Sequence, residues 1–585
     1  MSLTWYGNQS SVEGRNFGPL ALIVPVLERM NVAKIINQHI PPDVQAEFSH
    51  GDVLSLLVAA RVFNPVALSN VADWAAESGA DILWQMPVEK INDDRLGRSL
   101  AAFFSQRHSI LASIALHVSR EFKVPLRDVH YDPVHILMSG AYENAVPREP
   151  VIGECEDGTK ITRSDDTLGP AHITTGRATS DAPNGSQMIH AGLCTVVDEF
   201  GPLPIFGHTI DGNQNGRTAV AEQFALWQKY LKFPKVTMFS DRGTFSVGHL
   251  LRLKDADGHA VCSAPWDEFQ SLFDQQRSSL KWKTASFLSI EQQRRRKANS
   301  TLPREHYDLA EVPHELQDAE SGRKIACRVI FVFSTADEKV VRKQRQKQID
   351  KLREGLEQIE KTVAAGRRGS DPDAVKRRIG KLFGAKEAAR YFSWELQPLS
   401  AAQRKKLPKP ARGCKQPVHR FSFTFDKAAV ASDEKYDGYS VIVATVPKAE
   451  SSTDQVFTRF KQQAYSEQVN GEFKGPLAVR PVFLHSPERI EALVFLMMIA
   501  LTLYYLLQRQ YRQAIPANAT AKERRTTTQT LLRAFANYTL LIHHTRCGRE
   551  VQATQLTKRQ REILQRLGFP TPAQLLRDRL PRPPE

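Results

Sequence analysis

Cysteine is scarce and scattered. The 585-residue chain holds six, Cys155, Cys194, Cys262, Cys327, Cys414 and Cys547, and no two of them form a C-x2-C pair. That spacing excludes a zinc ribbon and a redox dithiol, and leaves reduced thiols in a reducing cytoplasm as the expectation. The opening residues, Met1-Ser-Leu-Thr-Trp-Tyr-Gly7, lack the basic and apolar regions of a secretory signal, so none is expected. Internal repeats and long low-complexity tracts are also missing. The one long apolar run, Leu493 to Leu507, is shorter than the roughly 20 residues a bilayer crossing needs. It is flanked by Glu488, Arg489 and Glu491 on one side and Gln508, Arg509 and Arg512 on the other. A helix buried all round in a large core is the expectation, with no membrane partner.

Positive charge is plentiful. Lys and Arg outnumber Asp and Glu by 79 to 64, a net charge of +15, with a pI of about 9.4. Such a balance favours a polyanion, most simply nucleic acid or an anionic membrane surface. No basic amphipathic helix with a broad apolar face is evident, so nucleic acid is preferred. The length allows two to four domains, and 41% hydrophobic with 24% charged residues is ordinary for a globular protein.

Three acidic residues stand out. Lys235-Val-Thr-Met-Phe-Ser-Asp241-Arg-Gly243 reads as a short buried strand ending in a carboxylate, where open α/β sheets tend to place ligands. Asp241 could instead cap the segment that follows. Upstream, Asp132 lies inside the extended apolar run Arg127 to Gly140. An acid in a buried strand needs a partner, and two such acids suggest a shared cation; a turn at Asp132-Pro133 is the alternative. Phe460, Gln463, Glu467 and Lys474 follow at spacings of three, four and seven, which would place them on one helix face.

Asp132, Asp241 and Glu467, with Lys474 seven residues after the Glu, resemble the Asp-Asp-Glu triad of bacterial insertion-sequence transposases. The match is to the cut-and-paste group whose third acid lies in a Y-x2-R-x3-E-x6-K helix; Phe460 stands for the Tyr and Gln463 for the Arg. Supporting segments run in order from about residue 20 to about residue 570, among them Ile173-Thr-Thr-Gly176, Asp181-Ala-Pro183, Asp211-Gly-Asn213, Asp437-Gly438 and Ser486-Pro-Glu-Arg-Ile-Glu-Ala-Leu493. Glu467 is preferred over nearby Glu472, because only Glu467 has the right interval to Phe460 and Lys474.

The resemblance implies an α/β fold: a ribonuclease H-like mixed-sheet core, interrupted by a mixed β-strand and basic-helix insertion, with a helical N-terminal domain. Residues 1–125 read as stacked helices, among them Leu20 to Ile40 and Asp52 to Phe63. They suit a helix-turn-helix module or a dimerisation bundle equally. Residues 126–265 read as the first part of the core, with a hairpin turning at Asp198-Glu-Phe-Gly201. Residues 266–450 read as the insertion, whose stretch from Glu338 to Arg412 carries about twenty Lys and Arg against about nine Asp and Glu. That stretch is either a solvated charged hairpin or a phosphate contact. Residues 451–545 return to the core, with a helix expected over Thr526 to His544. Residues 546–585 form a basic helix and tail.

Three carboxylates without Cys or His suit a hard cation, so two Mg²⁺ ions are expected, with Mn²⁺ able to substitute. Their mutual repulsion predicts a site poorly formed until metal binds. By resemblance, Asp132 bridges both ions while Asp241 and Glu467 each hold one. Lys474, Arg480 and Gln463 are the expected DNA contacts; a plain surface lysine is the alternative for Lys474. The partners implied are double-stranded DNA, as terminal inverted repeats and target, and a second copy of the chain in a homodimer on DNA. The location implied is a bacterial cytoplasm. The function implied is cutting element ends and joining them to target DNA. A metal-dependent nuclease that cuts without joining and a non-catalytic DNA-binding relic are the competing readings.

Overall fold

The computed structural model describes residues 3–577 and 579, apart from 5–10, 139, 141, 143–144, 147–152, 155–159, 162–168, 177–184, 215–222, 233–234, 290–291, 293–304, 411–413, 476, 478–483, 517 and 546–547.

A mixed sheet forms the centre. Five of its strands run in the order Gly201–Ile210, Gln187–Asp198, Asp128–Leu137, Thr237–Ser240, His259–Ala264. The first three pair antiparallel and the last three parallel, which is the ribonuclease H-like arrangement. The Asp132 strand is therefore central, held by Gln187–Asp198 on one side and Thr237–Ser240 on the other. The hairpin turns at Asp198, whose Oδ1 accepts from the Phe200 N–H at 2.9 Å, and Gly201 supplies a φ of 118°.

Beyond His259–Ala264 the same sheet continues through Tyr439–Ala444, Lys324–Ser334 and Tyr307–Gln317, all antiparallel. Residues 335–434 build a body with its own core. Helix Thr335–Ala364 and helix Pro372–Phe383 pack Ile349, Leu352, Leu356, Ile359, Val375 and Ile379 against the ladder of Phe392–Pro398 with His419–Phe425. Lys376, Arg377 and Lys381 stay on the outside.

Helix Pro487–Gln513 is the post around which the core is packed. Ser486 caps it and Pro487 occupies its first turn, where a missing N–H costs nothing. It is long and apolar enough to cross a membrane, yet its most apolar stretch is entirely buried within the protein. It lies on strand Gly201–Ile210 and against the N-terminal helices His50–Phe63 and Asp93–Phe104. Each fully buried Leu, Ile, Met or Phe on it contributes about 1.5–3 kcal/mol. A buried ion pair fixes the same junction. Arg107 Nε meets Glu491 Oε1 at 2.6 Å, with both side chains at most 1% exposed. Glu491 Oε2 accepts from the Ala171 N–H at 2.6 Å.

Three expectations need correction. The segment from Leu20 to Ile40 is two helices, Leu20–Arg29 and Val32–His39, because Asn31 adopts a left-handed φ of 57° between them. The helix beginning at Thr528 stops at Phe535, and Leu540–Thr545 is a strand. It pairs with Gly548–Ala553 and with Ser11–Arg15, so an apolar alternation at Leu540 and Ile542 found a partner at the other end of the chain. The helix expected from Phe460 to Lys474 is broken into Thr453–Lys461 and Ala464–Lys474, so Phe460 does not share a helix with Glu467. Phe460 packs instead on the core cluster around Phe457 and Tyr307.

Candidate active site

Asp132 sits half-buried in the middle of the central strand, on the face that helix Ala464–Lys474 covers. That helix has two stripes. Ser466, Val469 and Phe473 are buried and anchor it. Glu467, Asn470 and Lys474 repeat the same three-four spacing one residue on, so a neighbouring stripe runs past Asp132. Asn470 Nδ2 donates to Asp132 Oδ2 at 2.8 Å.

Electrostatics places the other acids. The Asp132 carboxyl is pushed up to about 7, first by burial and then by the negative charges of Asp241 and Glu467, with Lys474 pulling the other way. Asp241 follows strand Thr237–Ser240 and opens to solvent. Its carboxyl is also raised, first by burial; the N–H groups of Gly243 and Thr244 draw it part-way back. It occupies the cap position of the short turn Arg242–Thr244 without a side-chain capping bond. Thr244 Oγ1 shapes that turn by donating to the Asp241 carbonyl at 2.8 Å. Glu467 is exposed at the rim.

Glu472 points elsewhere. Tyr504 of the long helix donates to its Oε2 at 3.5 Å, and burial raises its pKa. Only Glu467 of the two perturbs Asp132.

Gln463 stands at the break between the two helices, and its amide is engaged at both ends. Oε1 lies 3.1 Å from His130 Nδ1, and Nε2 donates to the Tyr131 carbonyl at 3.1 Å. Its side chain therefore ties the Glu467 helix to the Asp132 strand. His130 is buried, stacks on Phe239 at 4.9 Å and is lowered to about 4, chiefly by burial, so it is a neutral structural ring. Arg459 adds a second tie, 3.3 Å from Asp128 at the start of the strand. Arg480 lies outside the described residues, as does the Asp181-Ala-Pro183 segment.

Among the described residues, no group of three or more His, Cys, Asp or Glu side chains is arranged to hold a metal ion as it stands. The donor set nevertheless fits a hard cation. It is all oxygen and carries excess negative charge. Asn470 is the residue that sequence reasoning passed over. Its signal was its place on the Glu467–Lys474 stripe.

Comparison with known proteins adds three findings. The model of a domain of unknown function, DUF4277, matches residues 12–116. Among solved structures, the cryo-EM structure of a piggyBac transposase synaptic complex with hairpin DNA is similar over 95% of this chain and 86% of that chain. The identity is 8% and the TM-score 0.31. No curated protein matches.

Proposed function

We propose that the protein is a DNA transposase of an insertion sequence, which cuts the ends of its element and joins them to target DNA. The observation that carries this reading is the charge convergence on Asp132. A carboxyl on the central strand of a ribonuclease H-like sheet feels Asp241, Glu467 and Lys474 together. Three acids and one base acting on one another suit phosphoryl transfer better than structural pairing, because an uncompensated cluster costs stability.

In this reading Asp132, Asp241 and Glu467 hold Mg²⁺. When bound, the metal would polarise the scissile phosphate and make water, and then a DNA 3′-hydroxyl, a competent nucleophile. The chain's own residues do the rest. The sheet fixes Asp132; the turn after Ser240 presents Asp241; the tie through Gln463 holds the start of the Glu467 helix, and Arg459 the helix before it, against the strand. Lys474, one stripe position from Asn470, grips a phosphate beside the acids. The exposed Lys376, Arg377 and Lys381 of the basic body bind flanking duplex through its backbone. Two element ends need two such sites, so the protein acts as a homodimer on DNA.

The test is cleavage and strand transfer on DNA carrying the element's terminal repeats, with Mg²⁺ or Mn²⁺. Joined products support the transposase. Cutting without joining marks a nuclease of the same core, and binding without either marks a relic.

A further inference from the structure

We propose that Asn470 is a positioning residue of the metal site, holding one oxygen of Asp132 with its amide nitrogen. The inference rests on the transposase reading of the acids and adds to it a residue that the Asp-Asp-Glu pattern does not contain.

Three observations carry it. Asn470 Nδ2 donates to Asp132 Oδ2 at 2.8 Å, a charge-assisted bond once the acid ionises. With Oδ2 so engaged, Oδ1 of the same carboxylate is the oxygen left for an ion. Ligating carboxylates that are hydrogen-bonded from behind in this way are held in orientation. The other end of the amide, Asn470 Oδ1, is buried and has no donor. A buried carbonyl oxygen without a partner costs about 1–3 kcal/mol. The residue keeps this conformation despite that cost, with its amide nitrogen on Asp132.

The local sequence is otherwise unfavourable. Asn470-Gly471 places two poor helix formers in succession inside Ala464–Lys474. A Cβ at Gly471 would meet nothing within 4 Å, so crowding does not explain the glycine. The bond to Asp132 is what Asn470 contributes at that point, and Ala or Leu would form the better helix.

The experiment measures Mg²⁺ affinity without turnover, from the metal-dependent rise in unfolding temperature of the full-length protein without DNA. Wild type is compared with Asn470→Leu, which keeps the volume and removes both polar ends, and with Asp132→Asn. Asn470→Gln, which keeps the amide one methylene further out, covers the case in which the Leu variant does not fold. The expected result is a half-saturating Mg²⁺ concentration raised about 10-fold or more in Asn470→Leu, the range seen when such supporting partners are removed. The Gln variant should fall between it and wild type. In a cleavage assay the Leu variant should lose kcat at low Mg²⁺ and recover it as Mg²⁺ rises, with DNA affinity in chelator unchanged. A Mg²⁺ response within twofold of wild type in both Asn470 variants overturns the inference alone. No Mg²⁺ response in wild type, or a full response in Asp132→Asn, overturns the metal reading beneath it.

Discussion

Replacing Asp132 by Asn should stabilise the metal-free protein at neutral and alkaline pH while abolishing its response to Mg²⁺. The folded carboxyl titrates near 7 where an ordinary Asp titrates at 3.8. A folded value above the unfolded one means that the native state binds the proton more tightly, so stability falls as pH rises from about 4 to about 7 and stays lowered above that. Full conversion of the shift gives about 4 kcal/mol as an upper bound, and solvent reaching a half-buried group reduces this to roughly 1–3 kcal/mol. Asn carries no proton to lose, and its amide oxygen can still accept from Asn470. Urea unfolding in chelator should therefore show the variant more stable than wild type at pH 8, with the difference shrinking as pH falls and vanishing below about pH 4. Mg²⁺ should restore wild type and leave the variant unmoved. A variant no more stable than wild type at pH 8, or a difference that does not change with pH, would refute the charge convergence on which the site is built.

Other outcomes follow from the same geometry. Glu472→Gln should retain cleavage within a few-fold, because that carboxylate faces Tyr504 rather than Asp132; a drop comparable to that of Glu467→Gln would move the third acid. Glu491→Gln should destabilise by about 1.5–3 kcal/mol, since it replaces a charge-assisted bond between two buried side chains by a neutral one; denaturant unfolding reads this directly. Replacing Lys376, Arg377 and Lys381 by Ala should lower the slope of log K against log salt for duplex binding, by about 0.9 for each phosphate that the variant no longer neutralises. An unchanged slope would make that surface a solvated face.

The parts of the fold that were legible in the sequence are those whose pattern is local. The Asp132 strand, the hairpin at Asp198–Gly201 and the buried helix ending near Gln513 follow from apolar runs with turn residues at their ends. What was not legible depends on distant partners. Residues Leu540–Thr545 look helical by continuity with Thr528–Phe535, and become a strand because Ser11–Arg15 offers an edge. The break before Ala464 arises where the Gln463 amide turns in to His130 and the Tyr131 carbonyl, a contact no helical spacing announces. Glu491 reads as a flanking charge of an apolar run, and its partner Arg107 is 384 residues away. In the site, Asp132 and Asp241 stood out as carboxylates inside or at the end of apolar strands, and Glu467 by its interval to Lys474. Asn470 was not, since an Asn on a helix is ordinary until the carboxylate opposite it is known.

The central claim is that Asp132, Asp241 and Glu467 form one metal-dependent site that both cuts and joins DNA. The most direct measurement is strand transfer by the purified protein on DNA bearing the element's own ends, in Mg²⁺, with Glu467→Gln alongside. Joined products from wild type, absent from the variant while DNA binding persists, are the predicted result. Joined products undiminished in the variant, or none from wild type despite binding to the ends, would contradict it.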